Sequence, residues 1–123
     1  MENGTGNAIV DKSFSFAVRI VNLHKFLIEN HKAFSLGDQL LRSGTSIGAN
    51  VTEAQDAQSK KNFTAKLSIA LKEARETKYW LQLLIATQYL DKADKHVQTL
   101  LADMEEIIKL LVSIIKRSKE EKA

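Results

Sequence analysis

The stretch LRSGTSIGANVTEAQ, residues Leu41–Gln55, combines the composition of a loop with apolar residues at helical spacing. It holds Gly44 and Gly48, which lie four residues apart and would share one face of a helix. A glycine inside a helix costs about 0.8–1 kcal/mol relative to alanine. We therefore expect close approach of a neighbouring helix, or a bound partner, to offset that cost.

The stretch is compatible with two interpretations. In the first, the small residues only shape the crossing of two helices, and Ser43, Ser46 and Asn50 hydrogen-bond across the crossing or back to their own backbone. In the second, a polar surface for a ligand or partner is formed by Arg42, Ser46, Asn50 and Glu53. The sequence leaves both open.

The composition of the whole chain favours one all-α domain. The chain has 123 residues, enough for one core, and it has no proline to provide the breaks that strands need. It also has no cysteine, which excludes disulfides, cysteine-ligated zinc and a thiol nucleophile. We expect a cytoplasmic protein without a membrane role, because the N-terminus lacks signal-peptide features and no apolar run approaches about 20 residues.

Apolar periodicity and capping residues predict four amphipathic helices, between a disordered lead at residues 1–10 and a frayed charged tail at residues 119–123. The predicted bounds are Asp11 or Ser13 to about Lys32, about Leu36 to Ala57 with Ser35 as cap, Ser59 as cap to about Gln88, and Asp91 as cap to residue 118. Short connections make sequential helices neighbours, so we predict an up-down-up-down antiparallel four-helix bundle. Three long helices and a small one is the alternative.

The same periodicity predicts which faces are buried. On the first helix the predicted core residues are Phe14, Ala17, Val18, Val21 and Ile28, widened by Ile20, Leu23 and Leu27. On the third they are Phe63, Leu67, Ala70, Ala74, Thr77, Leu81 and Leu84. On the fourth they are Val97, Leu101, Met104, Ile108, Leu111 and Ile115, with Leu100, Ile107, Leu110 and Ile114 beside them.

The apolar faces are wider than the interior of one bundle requires. An apolar surface that a monomer cannot cover usually meets another protein, so we predict a homo-oligomer. The predicted interface consists of Arg42, Ser46, Asn50, Glu53, Ile69, Glu73, Glu76, Trp80 and Leu83. The alternative is that Trp80 simply closes one end of the core.

The third helix carries most of the positive charge. Lys60, Lys61, Lys72, Arg75 and Lys78 fall within roughly a third of its circumference, away from the predicted core. Such a stripe can bind the phosphates of RNA or DNA without reading the base sequence. The alternative is an ordinary solvated lysine face.

Catalysis and metal binding have little support in the sequence. The three histidines, His24, His31 and His96, belong to no catalytic or metal-binding motif. Glu73 and Glu76 are three residues apart, but neither is followed at that spacing by the histidine that di-iron bundles use. Phosphate-binding and dinucleotide-binding loops are absent. We predict a non-enzymatic protein with no metal and no cofactor.

Two segments carry a family resemblance. RSGTSIGANVTEAQ, followed by SKKNFTAKLSIALKEARETKYWLQLL, resembles the four-helix bundle family named for 23S rRNA intervening sequences. Many members read Ala-Glu-Gly where this chain has Thr52-Glu53-Ala54, and many place Gly-Ser near Lys72-Glu73. These departures indicate a subfamily.

The resemblance implies a left-handed bundle that assembles into a cyclic homopentamer and has no enzymatic activity. A related branch resembles accessory proteins of diversity-generating retroelements, which bind nucleic acid and a reverse transcriptase. Two functional hypotheses follow. The chain is a nucleic-acid-binding scaffold, or it is a protein-interaction module with a partner such as a reverse transcriptase.

Overall fold

A computed structural model describes residues 4–120 and contains four α-helices, with no strand in that range. The helices are α1 (Ala8–His31), α2 (Phe34–Gln55), α3 (Lys60–Ala86) and α4 (Lys95–Glu120). Each packs on the next along the chain, and α1 also packs on α4. The predicted all-α class with four helices is confirmed. In the described part of the chain, none of the helices is both long and apolar enough to span a bilayer.

Side-chain pairs set the direction of the helices. Asn7, just before α1, donates to Gln55 at the end of α2, whereas His24 late in α1 pairs with Asp38 early in α2. The two helices are therefore antiparallel. Thr64 near the start of α3 likewise bonds Ser118 near the end of α4, at 2.6 Å. This is the contact pattern of an up-down bundle.

The start of α1 differs from the prediction. Asn7 is the cap, and its side chain accepts a hydrogen bond from the backbone N–H of Val10. Asp11 lies inside the helix and accepts instead from Thr5, while Ser13 is buried. The predicted caps Asp11 and Ser13 are wrong, and residues 8–10 of the predicted lead are helical. Residues 1–3 lie outside the described range.

The connection between α1 and α2 is only two residues long. Lys32 takes a left-handed conformation (φ 51°, ψ 34°), which ends α1, and its N–H bonds the carbonyl of Ile28. The second helix begins at Phe34 without a side-chain cap, so the predicted cap Ser35 is wrong. It ends at Gln55, two residues before the predicted Ala57. The cap position of α2 is occupied by Ala33, whose side chain cannot accept a hydrogen bond.

The predicted cap of α3 is confirmed, and that of α4 is wrong. Ser59 accepts from the backbone N–H of Asn62, and α3 runs to Ala86 rather than to Gln88. Asp94 caps α4, because its carboxylate accepts from the N–H groups of His96 and Val97. Asp91 instead closes a turn with Ala93. Helix α4 continues through Glu120, into the predicted tail, whose residues 121–123 lie outside the described range.

The predicted core face of α3 is almost entirely confirmed. Every predicted residue is buried except Phe63, which is half-buried while its neighbour Thr64 is buried. On two turns of α4, the buried residue is the one directly before the predicted residue. Leu100 and Ile107 are buried there, whereas the predicted Leu101 and Ile108 are only half-buried against the core.

The predicted core face of α1 is wrong in its main part. Phe14, Val18 and Val21 are 49%, 46% and 37% exposed. The buried residues are Ile9, Ser13, Phe16, Ile20 and Leu27. Together with the half-buried Leu23, which lies between Ile20 and Leu27, they repeat at alternating intervals of four and three residues. The sequence analysis missed this pattern because one of its positions is a serine and because Ile9 lies within the predicted lead.

The glycines of α2 face α1 at close range. A Cβ atom on Gly44 would lie 2.8 Å from the side chain of the buried Ile20, and one on Gly48 would lie 3.3 Å from the backbone oxygen of Ser13. On the opposite side of the crossing, the Thr77 hydroxyl of α3 bonds that of Ser43 at 2.9 Å. The first interpretation of the opening stretch is thus correct for both glycines, which allow the helices to approach closely.

Candidate nucleic-acid interface

The five basic residues singled out on α3 differ in their surroundings. Lys61, Lys72 and Arg75 are exposed, and within the described range no carboxylate lies within 4 Å of their charged nitrogens. Lys78 is half-buried and forms an ion pair with Glu105 of α4 at 2.5 Å. Lys60 is exposed at the first residue of the helix. Three cations therefore face solvent on the outer side of α3 without a carboxylate in ion-pair contact, although Lys72 is near enough to Glu76 to help lower the pKa of that carboxyl.

The helical register explains why these three side chains point outward. The buried face of α3 passes through Ala70, Ala74 and Thr77. Lys72 and Arg75 lie between these residues in sequence, which on a helix turns them away from that face. Tyr79 is exposed near the same arc, with its ring edge-on to Trp80 at a centroid distance of 5.1 Å. Because Tyr79 is 55% exposed, part of its ring is accessible for stacking.

A second cluster occupies the outer groove between α2 and α3. Arg42 donates one hydrogen bond to Glu73, at 2.9 Å, and another to Glu76. The indole N–H of Trp80 donates to the same carboxylate of Glu76, at 3.0 Å. The structure thus joins four residues of the predicted oligomer interface within one chain.

The cluster shifts two pKa values. The hydrogen bond from Trp80, and after it the contact with Arg42, lowers the pKa of Glu76 below its ordinary value of 4.5. The pKa of Arg42 is raised, first by the hydrogen bond to Glu76 and then by that to Glu73. Both shifts favour the charged forms, so the cluster is a fixed ionic contact rather than a proton-transfer site.

The other predicted interface residues lie along the same groove. Ser46 donates to the backbone carbonyl of Arg42, and Asn50 donates to that of Ser46, so each side chain bonds its own helix. Glu53 pairs with Lys66 of α3 at 2.9 Å. The remaining two predicted residues, Ile69 and Leu83, are exposed and half-buried, respectively. Trp80 is half-buried against the core of its own chain.

The histidines form no catalytic arrangement with one another. His24 pairs with Asp38, and His31 stacks edge-on against Phe26 and Tyr89. His96 is exposed at the start of α4. In the described range, no group of three or more His, Cys, Asp or Glu side chains could hold a metal ion.

Two surface features escaped the sequence analysis. The first is the exposed apolar strip of α1, made of Phe14, Val18 and Val21, which sequence periodicity assigned to the core. The second is the pair Lys109 and Lys116 on α4, both exposed. The signal for the second was present, since no acidic residue occurs between Glu106 and Glu120.

Comparison with known proteins identifies a family and solved structures of similar fold. The family model described as 23S rRNA-intervening sequence protein matches residues 6–113, which include α1, α2, α3 and most of α4. The chain belongs to the 23S rRNA-intervening sequence protein family. The family resemblance found in the sequence is therefore confirmed.

A solved structure supports the membership. It is a crystal structure from Bacteroides thetaiotaomicron VPI-5482, described as a protein with unknown function from the S23 ribosomal protein family. It is 56% identical to this chain, with a TM-score of 0.84, and the match covers 88% of this chain and 98% of that one. Comparison with the curated proteins gives no match.

Proposed function

We propose that the protein is a non-enzymatic helical scaffold that binds the phosphate backbone of nucleic acid through the outer face of α3. The observation that carries this proposal is that Lys61, Lys72 and Arg75 are exposed and, within the described range, have no carboxylate within 4 Å. A cation already paired with a carboxylate must lose that partner before it binds a phosphate, whereas these three need not. Contacts of this kind give affinity without sequence preference.

Self-assembly would strengthen such binding. We propose a cyclic homo-oligomer, a pentamer by family resemblance, in which each copy presents the same basic face. Repetition around a ring turns several weak sites into one multivalent surface. The exposed apolar strip of α1 supports assembly, since burial of its side chains would remove apolar surface from water.

The experiment is a titration of the purified protein with labelled single-stranded RNA and with duplex DNA at several salt concentrations. The logarithm of the binding constant should fall linearly with the logarithm of salt concentration, because binding releases counterions. Binding that does not respond to salt, or no binding at 50 mM salt, would overturn the proposal. The two nucleic acids are compared directly to establish which is preferred.

A second candidate function is a protein-interaction module whose partner, such as a reverse transcriptase, docks on the same apolar strip. Exposed apolar side chains on successive turns of α1 favour it. Tagged protein would be used to capture partners from nuclease-treated host lysate. A stoichiometric protein partner lost on Phe14→Ser would support this candidate over self-association, provided that the variant keeps the wild-type oligomeric mass.

A further inference from the structure

Two acid-free stretches of the chain carry a large share of its positive charge. Residues 60–72 contain four lysines and no acidic residue, and residues 107–119 contain three lysines, one arginine and no acidic residue. The first stretch begins α3 and the second lies near the end of α4. Because the two helices run in opposite directions, both stretches lie at the same end of the bundle.

Contacts confirm that the stretches lie side by side. The buried hydroxyls of Thr64 and Ser118 bond each other at 2.6 Å across the two helices. A surface pocket at this end is lined by Lys60 and Phe63 from α3 and by Ile114 and Arg117 from α4. The basic half of α3 therefore continues directly onto the basic half of α4.

The carboxylates of α4 do not compensate this charge. Asp103 pairs with Arg19 at 2.6 Å, Glu105 pairs with Lys78, and Glu106 pairs with Lys12. These three lie before residue 107, in the other half of the helix, and the fourth, Glu120 at the end of α4, has no cation within 4 Å in the described range. Lys109 and Lys116 are exposed, and within the described range no carboxylate lies within 4 Å of either ammonium group.

We propose that Lys109 and Lys116 belong to the nucleic-acid site, which then spans the outer surface of two helices rather than one. This inference rests on the proposed function. Seven residues separate the two lysines, so they share a face of α4 about 10 Å apart along its axis. Lys61 and Lys72 share a face of α3 in the same way, about 16 Å apart. Along the axis of a B-DNA duplex, where the phosphates of one strand are about 3.4 Å apart, separations of this size correspond to about three to five phosphates.

The test compares Lys109→Gln/Lys116→Gln with a control of equal charge, Lys25→Gln/Lys95→Gln. The control lysines are also exposed, on α1 and at the first residue of α4. Binding of a single-stranded RNA and of duplex DNA is measured from 50 to 200 mM salt, with circular dichroism to verify the fold. The α4 variant should lose on the order of tenfold in affinity, and its salt slope for RNA should fall by about 1.4. The control should change little.

Each outcome has a distinct meaning. If the α4 variant binds like the control while Lys61→Gln/Lys72→Gln/Arg75→Gln loses binding, the inference is wrong and the proposed function stands. If all variants weaken equally, only net charge matters and the two-helix site is wrong. If the wild-type protein binds neither nucleic acid at 50 mM salt, the proposed function and the inference both fail.

Discussion

A Cβ atom on Gly44 of α2 would lie 2.8 Å from Cγ2 and 2.9 Å from Cγ1 of Ile20 on α1. Real Cβ atoms do not approach so closely, and Ile20 is fully buried, so its side chain has no space into which to move. The missing side chain at Gly44 is therefore what sets the distance between the first two helices.

Gly44→Ala should destabilise the protein, although alanine is the better helix former by about 1 kcal/mol. Overpacking of a core costs about 1–3 kcal/mol, which exceeds that gain. Urea denaturation followed by circular dichroism should show a lower free energy of unfolding. A variant as stable as the wild type would mean that the helices separate freely at this crossing.

Gly37→Ala is the matched control for that prediction. Gly37 also lies in α2, but a Cβ atom there meets Ile28 at 3.4 Å, an ordinary contact. We expect no loss of stability and a gain of up to about 1 kcal/mol from the reduced freedom of the unfolded chain. A large loss at Gly37 would indicate that any added methyl group in α2 is harmful.

Glu76→Gln should destabilise the protein more at pH 7 than at pH 3. The pKa of Glu76 is lowered in the folded state, so its contribution to stability is fully present above the ordinary value of 4.5 and is lost as the pH falls through the folded-state value. For a half-exposed pair we expect a difference of up to about 1 kcal/mol at pH 7.

The measurement is the free energy of unfolding of both proteins at pH 3, 5 and 7, with Trp80 fluorescence as the local probe. Glu29→Gln, an exposed residue of α1, serves as the control of equal charge. If Glu76→Gln costs as much at pH 3 as at pH 7, the ionic contact with Arg42 is not the source of the effect.

Phe14→Ser/Val18→Ser should reduce the oligomeric mass. Both side chains are about half exposed in the single chain, so the change should disturb assembly more than folding. Light scattering with size-exclusion chromatography gives the mass, which for a pentamer is five times the 13.8 kDa of one chain. Tyr79→Ser, at an exposed aromatic residue of α3, is the control.

The opposite result is expected if the copies associate through the groove between α2 and α3 instead of through α1. If that groove is the contact, Ile69→Ser should lower the mass, and the α1 variant should retain it. Ile69 is exposed, so this substitution leaves the core intact. A wild-type protein that is monomeric at micromolar concentration would contradict both interfaces.

Lys61→Gln/Lys72→Gln/Arg75→Gln should weaken RNA binding at 0.1 M salt on the order of a hundredfold. Three lost phosphate contacts should lower the salt slope for a single strand by about 2. Fluorescence anisotropy measures both quantities. The companion variant Lys78→Gln should have a smaller effect, since Lys78 is already paired with Glu105. If Lys78→Gln weakened RNA binding as much as the triple variant does, the charges would act through a long-range field rather than through direct contact with phosphates.

The sequence predicted α3 well because its pattern is long and unmixed. Leu67, Ala70, Ala74 and Thr77 repeat at heptad spacing, and Ser59 is a good capping residue directly before the helix. The opening stretch was also informative, since Gly44 and Gly48 had to lie on one helix face. Long, regular patterns of this kind determine a structure with little help from tertiary contacts.

Helix α1 shows why the remainder could not be predicted. It carries two apolar stripes, one through Phe16 and Ile20 and one through Phe14 and Val18, and periodicity alone does not say which faces the core. In the structure the stripe through Phe16 and Ile20 faces the core because Ile20 packs against Gly44. The sequence alone does not predict that contact. Asp91 and Asp94 posed the same difficulty at α4, where two good capping residues compete for one helix start.

The basic end of the α3–α4 pair also affects how the molecule meets a ligand. The charged residues at 95–106 of α4 are one lysine and three carboxylates. Those at 107–119 are three lysines and one arginine. The three carboxylates are each paired with a cation of another helix, so the end of the bundle near residues 107–119 is the more positive one, and a polyanion exerts a torque on such a charge distribution before contact. A nucleic-acid strand that diffuses nearby would therefore rotate the protein so that its basic end points toward the strand. The relative orientation of the two molecules is then set before they touch.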